Sequence, residues 1–166
     1  MANTLRRKNG CVIVKIALGA DHRGFAHKQY LRAHYADTVW IDVGADTDLV
    51  RTDYPLFAHR ACSLLQSSHA DKGILICATG LGMAIAANRF AHVYAAVVWN
   101  KEIARLSVEH DKVNLLVLSS DYVSCEQSIE IIDAWMSAKF LGNRYQERID
   151  LIDQLGGVLD PRDCIK

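Results

Sequence analysis

At 166 residues, with 51% apolar side chains, the chain is long enough for one domain with a well-filled core and lacks the composition of a disordered segment. Nineteen basic residues balance nineteen acidic ones, so no net field favours nucleic acid or an anionic membrane surface, and small-molecule or protein partners are expected. No apolar run reaches the roughly eighteen residues of a membrane span, and residues 1–10 are polar and basic without a secretory core behind them, so a cytoplasmic location is expected.

In chain order, residues 12–18 read as a first strand that ends in Gly19-Ala20-Asp21-His22-Arg23-Gly24, followed by a helix over 25–35. A strand over 39–43 leads to Arg51-Thr52-Asp53-Tyr54-Pro55, and Pro55 suits the first turn of a helix over 55–66. Residues 74–77, Ile74-Leu75-Ile76-Cys77, read as a buried strand running into Ala78-Thr79-Gly80-Leu81-Gly82, with the next helix over 84–90. A strand over 94–98, a helix over 101–109, the pair His110-Asp111 and a strand over 114–118 follow. The periodicity then predicts a long helix over 125–140, a break at Gly142-Asn143 and a last helix over 144–155.

Strands alternating with helix-length segments predict an α/β fold: a three-layer αβα sandwich with a Rossmann-like, five-stranded parallel sheet and a C-terminal helical extension. Residues 15–155 are expected to form the domain, with 1–14 as an extension and 156–166 as a tail. Five cysteines, Cys11, Cys62, Cys77, Cys125 and Cys164, are odd in number and form no CxxC pair, which argues against disulfides and zinc. Cys11 and Cys62 are expected as small buried residues.

In open α/β sheets ligands bind beyond the carboxyl ends of the strands, and three such ends here carry chemical side chains. Gly80-Leu81-Gly82 hints at a dinucleotide fingerprint, but the third glycine would fall on Ile85, and GxxxxGK is absent, so NAD and ATP are not expected. Cys77 beside a turn of outward amides can serve as nucleophile, base or core thiol. Asp21 can orient His22 or merely cap the following helix. His110 can act as an acid or cap its helix, and the remaining histidines are expected at the surface. Arg144 and Arg148, four apart, share one helix face and can clamp a phosphate or pair with Glu147 and Asp150.

Taken together, these segments resemble the ribose/galactose-6-phosphate isomerase family, and its ribose-5-phosphate isomerases of type B in particular. The resemblance runs from Lys15 to about Gln154. It is carried by Lys15-Ile16-Ala17-Leu18-Gly19-Ala20-Asp21-His22, Arg51-Thr52-Asp53-Tyr54-Pro55, Gly73-Ile74-Leu75-Ile76-Cys77-Ala78-Thr79-Gly80-Leu81-Gly82, Ile85-Ala86-Ala87-Asn88-Arg89 and Asp133-Ala134-Trp135.

The resemblance implies interconversion of an aldose phosphate and a ketose phosphate through an enediolate, with no metal or cofactor, at sites shared within a homodimer or tetramer. Cys77 is then the base between C2 and C1, with a thiol pKa expected to be lowered by the helix amides. Thr79 passes protons between the sugar oxygens, and the turn of Ala78, Gly80, Leu81 and Gly82 holds the enediolate oxygen. His110 opens the sugar ring, Asp21 and Tyr54 line the sugar, and His22, Arg144 and Arg148 hold the phosphate. Some relatives place a glutamate base where this chain has Met83. Asp111 stands where members usually carry an asparagine that meets the substrate, and Asp121 where they commonly carry an arginine. Against the isomerase stand two rivals, another class of enzyme and a non-enzyme. A cysteine phosphatase would want an arginine closing the turn, and an accessory sugar-phosphate-binding subunit would be inactive alone.

Overall fold

The computed structural model describes residues 14–155, together with the backbone of residues 7–8 and 11–12. Arg7–Lys8 (β1) and Cys11–Val12 (β2) pair antiparallel ahead of the domain. The first sheet strand, β3, is Lys15–Ala20, later in its start and end than the 12–18 expected. Its start is marked by Asp71, whose carboxylate accepts the Lys15 amide at 2.8 Å, and its end by pairing of Gly19 and Ala20 with Leu75 and Ile76. The expected tail, residues 156–166, and the side chain of Cys11 lie outside the described residues.

The remaining elements are α1 (Phe25–His34), β4 (Val39–Asp42), α2 (Tyr54–Gln66), β5 (Lys72–Cys77), α3 (Leu81–Ala87), β6 (Ala95–Val97), α4 (Lys101–Asp111), β7 (Leu115–Ser119), α5 (Cys125–Ser137) and α6 (Arg144–Gln154). The five strands β3 to β7 form one parallel sheet in the order β4-β3-β5-β7-β6. The predicted α/β architecture is therefore present, with α6 as the helical extension. β5 and β7 read as continuous apolar runs because both faces are covered. On one face Ile74 and Ile76 pack with Leu31 of α1, Val108 of α4 and Trp135 of α5, and on the other Leu75 packs with Phe57 and Ala61 of α2 and Met83 of α3.

Three helices differ from the sequence reading by more than one residue, for identifiable reasons. α3 begins at Leu81, not at residue 84, because Gly80 takes a left-handed conformation (φ 78°) and launches the helix at once. It stops at Ala87 because the Asn88 side chain pairs with both backbone groups of Ala95, at 2.8 and 2.9 Å, as a strand neighbour would. α4 runs through His110 and Asp111, so both lie in its last turn. α5 starts with a Ser124–Gln127 capping box and ends at Ser137, whose hydroxyl donates to the carbonyls of Asp133 and Ala134.

One buried charge ties the sheet edge to α1. Lys28 is 1% exposed, and its ammonium donates to Asp42 Oδ1 at 3.0 Å and to the Ala45 carbonyl at 2.6 Å. A charge so deep is tolerable only with such partners.

Candidate active site

β5 delivers Cys77 to the carboxyl edge of the sheet, and the turn after it wraps back over the sulfur. The Gly80 amide donates to Cys77 Sγ at 3.2 Å, and only a residue free to take positive φ presents its amide this way. Thr79 is exposed, and its hydroxyl accepts the Leu81 amide at 3.4 Å. Met83 is fully buried in the core, so its side chain takes no part at the rim.

The thiol pKa lies above the ordinary thiol value, contrary to the expectation that helix amides lower it. Burial of Cys77, which is 5% exposed, is the largest cause. The Gly80 amide pulls the pKa down, the nearby Asp21 carboxylate pushes it up again, and the Met83 and Thr79 amides offset only part of this. Burial thus favours the thiol over the thiolate at this position.

The loops beside β5 complete this rim. Asp21, 6% exposed, accepts the Arg23 and Gly24 amides through Oδ1 at 2.9 and 3.0 Å, so it closes the turn before α1 and does not orient His22. His22 is instead pinned by Thr52: its backbone amide donates to Thr52 Oγ1 at 3.1 Å, and the Thr52 amide donates to His22 Nδ1 at 3.2 Å. With Nδ1 accepting, the neutral ring carries its proton on Nε2. Tyr54 opens α2 and lies on Gly82, where an added Cβ would come within 2.5 Å of its Cζ. On the other side the Ser120 and Asp121 amides donate to the Cys77 and Ala78 carbonyls at 2.9 and 3.0 Å, and Ser119 Oγ donates to Ala78 O at 2.6 Å.

His110, Asp111, Arg144 and Arg148 form a second group elsewhere. His110 stacks on Tyr145 with ring centroids 4.3 Å apart and planes 7° from parallel. Arg144 and Arg148 lie over the same phenol, with Cζ 4.9 and 5.7 Å from its centroid. Neither arginine makes an ion pair with a described residue, so the expected alternative of pairing with Glu147 and Asp150 is not realised. Asp111 is exposed beside His110.

The topology keeps the two groups apart. α4 leaves the carboxyl end of β6 and returns to the start of β7, where Leu115 pairs with Gly73, whereas Cys77 pairs with Ser119 at the other end. Four residues of strand separate these ends by roughly 13 Å, far beyond proton-transfer reach.

The sequence reading points to every polar residue of both groups except Thr52, Ser119, Ser120, Tyr145 and Arg23. Thr52 and Arg23 lay inside quoted segments, and Tyr145 lay between the two arginines, but nothing in their types set them apart. His27 corrects the expectation of surface histidines: it is 8% exposed, with Nε2 2.8 Å from the Val123 carbonyl. Cys62 is fully buried, as expected. No group of metal-binding side chains occurs among the described residues, and none of their helices is long and apolar enough to cross a membrane.

Similarity to known proteins bears on the same elements. Residues 16–152 match the ribose/galactose isomerase family. Ribose-5-phosphate isomerase B of Escherichia coli is 40% identical over 140 residues, covering 83% of this chain and 93% of that protein. The crystal structure of a ribose 5-phosphate isomerase from Thermotoga maritima superposes with a TM-score of 0.83 at 36% identity, covering 86% of this chain and 99% of that one. The Mycoplasma genitalium ribose-5-phosphate isomerase B, solved with bound ribulose-5-phosphate, gives a TM-score of 0.79 at 36% identity over 84% of this chain and 94% of that one.

Proposed function

The chain belongs to the ribose/galactose isomerase family and is an aldose-ketose isomerase of phosphorylated sugars, and from that premise we propose that it interconverts ribose 5-phosphate and ribulose 5-phosphate with Cys77 as base. The observation that carries the residue roles is the placement of the Cys77 thiol under the Gly80 amide, on one rim with Asp21, His22 and Tyr54. In the open aldose the thiolate takes the proton from C2 and returns it to C1. Meanwhile the C1 oxygen gains a proton and the C2 hydroxyl loses one, an exchange within reach of Thr79. A base of raised pKa is scarce at neutral pH, yet stronger once ionised. Remaining amides of the turn, those of Ala78 and Gly82, offer donors for the enediolate oxygen, and Leu81 would join them on release from Thr79.

His110 acts in this reading as the acid that opens the ring, and Arg144 and Arg148 join His22 on the phosphate, all three carried on the neighbouring chain of a homodimer. The separation of the two residue groups within one chain supports that arrangement. So does the exposed apolar surface beside the turn, Leu56, Leu81 and Ile85, which a second copy would cover. We place the reaction in the cytoplasm, independent of metal or cofactor, within residues 15–155. A phosphate bound away from the reacting carbons lends its binding energy to orientation.

A panel of four- to six-carbon aldose and ketose phosphates tests the proposal. Ribose 5-phosphate should be turned over by the wild type, and Cys77→Ala should lose about 100-fold or more while keeping its circular dichroism spectrum. Near-normal turnover by Cys77→Ala would remove Cys77 as base. In the same panel Asp111→Asn should raise activity on ribose 5-phosphate, since an amide can donate to a substrate oxygen where a carboxylate repels it.

A further inference from the structure

β3 and β7 are the two neighbours of β5 in the sheet, so the loops that follow them stand on either side of the Cys77 turn. An ion pair joins those loops across the end of β5. Arg23 Nη2 lies 2.9 Å from both Asp121 Oδ1 and Oδ2. This is a contact through one nitrogen, not the two-nitrogen fork, and Nη1 and Nε make no other hydrogen bond among the described residues. The side chains are 55% and 36% exposed, and a pair so wet contributes at most about 1 kcal/mol to folding. Stability is thus a poor reason to hold a guanidinium here.

The backbone around Arg23 is held as firmly as its head group. Its amide donates to Asp21, and the preceding His22 is clasped by Thr52 with its Nε2 proton available to a ligand. Consecutive residues therefore present an imidazole donor and a fixed cation at one rim.

We propose that Arg23 is a ligand of the substrate's phosphate, aimed by Asp121 as its positioning residue, so that the β3–α1 loop supplies a cation from the same chain as Cys77. This assignment rests on the sugar-phosphate reading for the identity of the anion. It gives the phosphate a cation from the same chain as Cys77, beside the Arg144 and Arg148 of a neighbouring chain.

Calorimetric titration of the full chain with inorganic phosphate tests it without turnover. Arg23→Met should weaken phosphate binding roughly tenfold or more, as expected for loss of a charge-assisted contact, while Arg23→Lys retains part of the affinity. The KM for ribose 5-phosphate should rise with it, and kcat should change less. Arg23→Gln replaces the Met variant if that one loses its fold. Phosphate affinity within twofold of wild type in the uncharged variant overturns the proposal, as does a wild type that binds no phosphate. If phosphate binds through Arg23 but no sugar phosphate is isomerised, the functional reading falls and this one stands.

Discussion

The Gly80 amide donates to the Cys77 sulfur across 3.2 Å, yet burial outweighs it, and the thiol stays protonated beyond the ordinary thiol range. A base must be ionised to act. Since the free site holds its proton tightly, kcat/KM should climb close to tenfold per pH unit from pH 7 and level off only above about 9. Asp21→Asn removes a charge that pushes the pKa up, while its amide oxygen can still accept the Arg23 and Gly24 amides. That variant should shift the rise to lower pH. A profile already flat between pH 7 and 9 in the wild type would show that the kinetically essential base is not this thiol.

Two glycines at the rim should respond oppositely to alanine. At Gly24 an added Cβ would sit 2.4 Å from the Ile76 carbonyl oxygen, backbone of the strand that carries Cys77. Relief requires β5 or the turn to move, so Gly24→Ala should cost about 1–3 kcal/mol or more, read as a lower Tm, and activity should fall with it. At Gly82 the obstacle is the Tyr54 ring at 2.5 Å, the far end of a side chain that can swing away. Because Gly82 is helical, alanine should recover up to about 1 kcal/mol of helix propensity, keeping or raising Tm, while a displaced Tyr54 raises KM. Equal losses of Tm in both variants would mean that Tyr54 cannot yield.

Cys62 gives the fold an alkaline weakness. It is fully buried between α2 and α3, and burial pushes its pKa from 9.0 to about 12. The unfolded chain releases this proton near 9, whereas the folded chain keeps it until about 12. Rising pH across that window therefore favours unfolding, by up to about 1.4 kcal/mol per unit. Thermal melts of Cys62→Ala should show a shallower fall of Tm between pH 8.5 and 10 than the wild type, from a somewhat lower starting point. Parallel curves would mean that other groups set the alkaline limit.

Much of this could be read from the chain because buried parallel strands are continuous apolar runs, and the residues after Ala20, Cys77 and Ser119 fall at one edge whatever the helices do. The α3 register was not legible, since two glycines read as a break although Gly80 is the residue that starts the helix. Thr52 works through hydrogen bonds to His22, and Tyr145 through its ring faces, functions that a threonine or tyrosine in an exposed segment does not announce. The direction of the Cys77 pKa was missed for a related reason. Amides near a thiol can be counted from a turn motif, but the desolvation that outweighs them depends on what packs above the sulfur.

The distance between Cys77 and His110 makes a prediction that depends on assembly. They lie toward opposite ends of one sheet, so an active site using both must draw them from two chains. Cys77→Ala and His110→Ala should each be nearly inactive alone. In a mixed dimer, one site combines both lesions, and the other combines the intact Cys77 of one chain with the intact His110 of its neighbour. Random reassortment makes half the dimers mixed with one good site of two, so refolding an equimolar mixture should restore about a quarter of wild-type activity. A site contained within one chain has no such rescue: the mixture would stay at the level of its components. Because Tyr145 holds His110 by stacking at 4.3 Å, Tyr145→Ala should mimic the His110 variant in this assay, complementing Cys77→Ala and failing to complement His110→Ala.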